Sequence, residues 1–217
     1  MDLLPSLDAA LLPLADESRA AAMRAYMRDH FEFLGIPTPA RRAAARPLLK
    51  AMKGAGAAAL LEAAGELWAR PQREYHYTAL DMLAMHWKPL GEEHLPQLIS
   101  LARRKSWWDT VDGIAGIVGD VLRREHHGMD EALAHSDFWV RRIALLHQLG
   151  WRGDTDTERL FRYALALSHE KEFFIQKAIG WALRDYAHHD PEAVRRFLAG
   201  DGMILAPLSR REAAKHL

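Results

Sequence analysis

Helical periodicity with no interruption is the strongest constraint on this chain. From Ala20 to Leu34, Ala57 to Trp68, Glu74 to Trp87, Leu95 to Ala102, Val111 to Leu122, Phe138 to Leu149, Leu160 to Leu167, Phe173 to Tyr186 and Pro191 to Leu198, apolar residues recur three and four apart, and no segment alternates as a strand does. The punctuation agrees: Thr38-Pro39, Ser106, Ser136 and Asp190-Pro191 read as helix starts, while Gly54, Gly56, Gly91, Gly150, Gly153 and Gly200 fall near helix ends. Short connections follow, and no Gly-, Ser- or Pro-rich linker divides the 217 residues. One all-α domain over residues 1–217 is the expectation.

A repeat emerges when the helices are aligned on their first aromatic residue. Tyr75, Trp107, Trp139 and Phe174 lie 32, 32 and 35 residues apart, each opening a long apolar helix that follows a shorter amphipathic one. One antiparallel helix pair per period predicts a HEAT-like solenoid, a curved array in which each pair buries its apolar face only against its neighbours.

Composition removes several function classes. Without cysteine there are no disulfides, thiolate metal sites or cysteine nucleophiles. The twelve histidines include His126-His127 and His188-His189, but adjacent residues point to different helix faces and no His-Glu-x-x-His arrangement occurs, so no metal is expected. The N-terminus lacks a signal-like basic and apolar pattern, and no long apolar run exists, which predicts a cytoplasmic protein without a membrane partner. Formal net charge is zero, so any attraction for nucleic acid must be local. Patches such as Arg41, Arg42, Arg46 and Lys50, or Arg210, Arg211 and Lys215, read individually as solvated helix faces.

The aligned repeats supply an internal standard. Five residues after the anchor they carry Leu80, Asp112, Ala144 and Ile179, so a carboxylate stands where the other units are apolar. Trp108, four residues earlier, shares its helix face. A carboxylate turned toward a packing face is costly unless it is paired or faces a cleft. Asp112 is therefore either a structural ion pair with an arginine or a functional anion beside an indole. Three residues after the anchors come Thr78, Thr110, Arg142 and Lys177, which sets cations at one equivalent place in two successive units. Trp181 occupies a position that is apolar in every unit.

Four stretches carry a resemblance to a known family. They are Ala25 to Phe31 continuing through Phe33-Leu34-Gly35-Ile36-Pro37-Thr38-Pro39; Lys105-Ser106-Trp107-Trp108-Asp109-Thr110-Val111-Asp112; Glu172 to Trp181; and Leu205 to Ala213. Over nearly its whole length the sequence resembles the alkylpurine DNA glycosylases of the AlkD type, departing at Pro37, where a relative carries glutamine. The resemblance implies catalytic roles for Asp112, Trp108 and Trp181. It implies DNA contacts for Tyr26 and for Arg142 as a backbone clamp, with Thr38, Arg42, Lys177 and Arg184 as further backbone contacts. It also implies a monofunctional glycosylase that acts on double-stranded DNA containing cationic N3- or N7-alkylated purines, without base flipping, cofactor or metal. A monomer is expected. The rival expectation is a noncatalytic HEAT-like module that binds protein or DNA structures.

Overall fold

The structure, a computed structural model, describes residues 2–217. Every regular element among them is helical, and the only strand-like feature is an isolated bridge between Glu32 and Gln72. Among the described residues no helix is long and apolar enough to cross a membrane. The chain divides into two compact units, one running to Gln97 and the other starting at Leu98.

The first unit contains α1 (Leu3–Leu11), α2 (Glu17–Tyr26), α3 (Thr38–Ala51), α4 (Ala57–Ala69) and α5 (Arg73–Met85). Its core is built where apolar spacing brings Leu7 and Leu11 of α1, Leu60, Leu67 and Trp68 of α4, and Met82 and Leu83 of α5 out of water. The boundary falls within α6 (Leu95–Arg103).

Local chemistry overrides periodicity at one place here. The expected helix from Ala20 to Leu34 ends at Tyr26, because Arg28 and Asp29 both take left-handed backbone conformations. The apolar residues beyond, Phe33 and Ile36, are buried from a loop rather than from a helix face. That loop is held by the buried Glu74 carboxylate of α5, which accepts from the backbone N–H groups of Leu34 (2.9 Å), Gly35 (2.9 Å) and Ile36 (3.2 Å). Gly35 is indispensable in that turn: φ is +83° and a Cβ would sit 2.0 Å from the Asp16 carbonyl oxygen. Thr38 proves to be the first helical residue of α3 and Pro37 its capping residue, so Thr38 is not the N-cap.

The second unit contains α7 (Trp108–Leu122), α8 (Met129–Leu133), α9 (Phe138–Leu146), α10 (Thr157–Ala166), α11 (Phe173–Ala187), α12 (Pro191–Ala199) and α13 (Pro207–Ala213). In it α7 packs on α9, α9 on α11 and α11 on α13. Caps set these helices. Asp137 accepts from the Trp139 N–H and Asp190 from the Ala193 N–H, whereas Ser106 and Ser136 lie one residue outside the capping positions, which Trp107 and Asp137 fill. The helices α1, α8 and α13, of nine, five and seven residues, are not marked by the periodicity.

The aromatic anchors of this unit meet. Trp107 and Trp139 have centroids 6.1 Å apart, and Phe174 lies 5.0 Å from Trp107 and 4.9 Å from Trp139. Such pairs contribute about 0.5–1.5 kcal/mol each beyond their buried area. The cluster therefore brings the N-terminal ends of α7, α9 and α11 together, and the candidate site lies one turn further along each helix.

Candidate functional site

Trp107 caps α7 in an extended conformation, and Trp108 and Asp112 follow one turn apart on the same face. At the equivalent position of the next two units Ala144 and Ile179 are buried in packing. Asp112 instead meets Arg142 of α9. Arg142 Nε donates to one carboxylate oxygen and Nη2 to the other, both at 2.7 Å, while Nη1 donates to the Phe174 carbonyl of α11. The guanidinium side chain is 1% exposed and the aspartate side chain 20%, so the pair sits at the rim of the packing with its acidic half toward solvent. Burial pushes the Asp112 carboxyl up from the ordinary aspartate value, and the Arg142 guanidinium opposes that push. Two charge-assisted bonds to a group that cannot lose its proton favour the ionised form of the carboxylate against that burial.

Trp181 joins the site through the same arginine. The Arg142 guanidinium lies 5.4 Å from the indole centroid, with Lys177 at 5.5 Å and Arg184 at 5.9 Å. Lys177, Trp181 and Arg184 recur at helical spacing on α11, which sets them on one face. Each contact is within the distance at which a cation is attracted to an aromatic face. Trp108, Asp112, Arg142, Lys177, Trp181 and Arg184 are thus all carried by the second unit.

The remaining candidates belong to the first unit. Tyr26 ends α2 and is 75% exposed. Thr38 is exposed on the first turn of α3, and Arg42, one turn later, forms a paired interaction with Asp81 of α5 through Nε (3.2 Å) and Nη2 (3.0 Å). Asp81 also accepts from the buried Arg41 at 2.8 Å, so one carboxylate orders both arginines.

Two carboxylates central to this arrangement were not singled out from sequence. Glu74 shapes the loop between Tyr26 and Thr38. Glu212 of α13 is buried and faces Lys177 (3.1 Å), Arg184 (3.5 Å) and Lys215 (2.8 Å). Its carboxyl is held down at about 2, first by the Lys215 hydrogen bond and then by Lys177 against the opposing effect of burial. The available signals were weak: Glu212 and Lys215 are spaced as an ion pair along one helix face, and Gly180 directly precedes Trp181. A Cβ at Gly180 would lie 2.5 Å from the Glu212 Cβ, which explains the glycine as room for α13 to approach α11. Among the described residues no cluster of three or more histidine or acidic side chains is arranged to hold a metal.

A sequence model of a family described as DNA alkylation repair enzyme matches residues 7–217. Among solved structures, one described as a predicted DNA alkylation repair enzyme from Enterococcus faecalis superposes with a TM-score of 0.85 at 31% identity. The match covers 94% of this chain and 96% of that one. A search of curated proteins gives no match.

Proposed function

The chain belongs to the DNA alkylation repair enzyme family, and from that premise we propose that it is a monofunctional DNA glycosylase that hydrolyses the N-glycosidic bond of cationic N3- and N7-alkylated purines in duplex DNA. The observation that carries the reading is the position of Asp112. It lies one turn beyond Trp108, is held at both oxygens by Arg142, and is joined through that guanidinium to Trp181.

An alkylated purine already bears a positive charge, so its bond to the sugar breaks with both electrons moving to the base, which departs neutral. Positive charge then appears on the deoxyribose, as in glycoside hydrolysis generally. The partly exposed Asp112 carboxylate stabilises that charge more than it stabilises the ground state, and orients the water that adds to the sugar carbon. Trp108 and Trp181 offer aromatic faces to the same charge, worth roughly 0.5–2 kcal/mol each. Tyr26, Thr38, Arg42, Lys177 and Arg184 supply the contacts to the duplex, and Arg142, whose side chain is 1% exposed, acts by holding Asp112 in place. In this reading the chain is built of HEAT-like helix pairs and acts as a cytoplasmic monomer that needs no metal or cofactor. The lesion stays in the stack, and selectivity comes from its own lability.

The decisive assay is release of free 7-methylguanine or 3-methyladenine from methylated duplex DNA. A second reading, a noncatalytic repeat module, draws on one observation: both Asp112 oxygens are already engaged by Arg142. Duplex binding with no base released by the intact protein establishes that reading in place of the first.

A further inference from the structure

Around Glu212 the ionic arrangement is unbalanced. One buried carboxylate, 5% exposed, is met by three cations, two from one helix and one from a following segment: Lys177 and Arg184 of α11, and Lys215, two residues past the end of α13. A single lysine would satisfy a carboxylate. Here the four side chains leave a surplus of two positive charges. Lys215 and Arg184 share one oxygen, Oε2, while Lys177 takes the other, so the cations are crowded against one another. Like charges at that range repel, and an anion laid over them would relieve that repulsion.

Depth decides on which side that anion binds. The carboxylate is enclosed, Lys177 and Arg184 are about three-quarters covered, and Lys215 is 45% exposed, so the negative group lies beneath and the positive groups open toward solvent. Lys177 and Arg184 also flank the Trp181 indole. Close approach of α13 at Gly180 fixes Glu212 under that face, and the Ser209 hydroxyl locks the approach by donating to the Gln176 carbonyl at 2.8 Å.

We propose that Glu212 is a positioning residue that tethers Lys177, Arg184 and Lys215 from below into a preset phosphodiester site beside Trp181, with Lys215 as its outermost cation. This deepens the glycosylase reading, since it takes the Trp181 face to be the one that meets duplex DNA. Holding three flexible side chains before DNA arrives removes part of the ordering cost of binding, which is why an acid improves a surface for a polyanion.

Bulk electrostatics and this proposal predict opposite signs. Replacing Glu212 by Gln adds one net positive charge, which on charge alone tightens DNA binding. Tethering predicts the reverse. The test is fluorescence anisotropy of an undamaged duplex titrated with wild type, Glu212→Gln and Lys215→Met over a series of salt concentrations, beside release of 7-methylguanine. The expected result is several-fold weaker binding by Glu212→Gln at equal folded fraction. For Lys215→Met the slope of log K against log salt should lessen by about one. Tighter or unchanged binding by a folded Glu212→Gln overturns the tether. If that variant does not fold, Lys215→Met decides, and an unchanged salt slope overturns the site. Loss of slope without base release by wild type leaves this inference standing and removes the glycosylase reading; base release with unchanged slopes does the opposite.

Discussion

Replacing Asp112 by Asn separates the structural and chemical roles of the Asp112–Arg142 pair. Arg142 is 1% exposed and spends Nε and Nη2 on the carboxylate, so the substitution leaves a buried guanidinium facing one neutral carbonyl oxygen. Breaking a buried pair costs about 3–5 kcal/mol, and the acceptor that Asn retains puts this case near 3. For a chain of this size that lowers the melting temperature by roughly 6–12 °C. On the glycosylase reading a catalytic effect is added to this. Loss of an electrostatic stabiliser worth on the order of 3 kcal/mol slows excision about 100-fold.

Combining Asp112→Asn with Arg142→Met pulls these effects apart. With both charges gone, stability should return to within ~1 kcal/mol of wild type, the remainder reflecting the Phe174 carbonyl that loses its donor. Excision should stay low. Thermal melts by circular dichroism and single-turnover release of 7-methylguanine at 25 °C give both quantities on the same samples. Excision that recovers with stability in the double variant refutes the assignment, because Asp112 would then act only as a structural counter-ion.

Three other outcomes follow from the structure. Glu74→Gln replaces one of the two acceptor oxygens by an amide donor, opposing either the Leu34 N–H or those of Gly35 and Ile36, costing about 1–3 kcal/mol, and hydrogen exchange of those amides should accelerate. Gly35→Ala must both strain φ and displace the Asp16 carbonyl, so a melting temperature within 2 °C of wild type, by about the shift expected of a neutral change, contradicts that packing. Burial pushes the His147 imidazole down to about 4 from an ordinary 6.5. Its neutral form then contributes stability that is complete above about pH 6.5 and is lost as pH falls to 4, up to about 3 kcal/mol, and His147→Gln should flatten that part of the stability profile.

The helical class was legible because burial in this chain follows the 3.6-residue period: Ile175, Ala178, Ile179, Ala182 and Leu183 of α11 are all buried, as their spacing required. Asp112 was legible for the complementary reason, as an ionisable group in an apolar register. What pairs with it was not, because the Asp112–Arg142 contact joins residues on different helices and depends on how α7 packs on α9. The loop after Tyr26 reads as helix in the sequence because the turn from Leu34 to Ile36 is held by a carboxylate 38 to 40 residues away, an interaction with no local signature. Glu212 escaped notice because a buried acid surrounded by bases reads in sequence as an ordinary mixed-charge helix.

Arg142 also acts as a gauge of alignment. Its planar group starts on α9, grips α7 through Asp112 and α11 through the Phe174 carbonyl, and lies against Trp181, so three successive helices are registered by one rigid fork. Hydrogen bonds weaken steeply with misalignment, and slippage of either neighbour by a fraction of an ångström would disturb the carboxylate and the indole together. On the proposed reading, substitutions at the aromatic anchors one turn away should therefore dull the chemistry well before they melt the protein, and faults in stacking along this unit would be sensed first at the proposed lesion site.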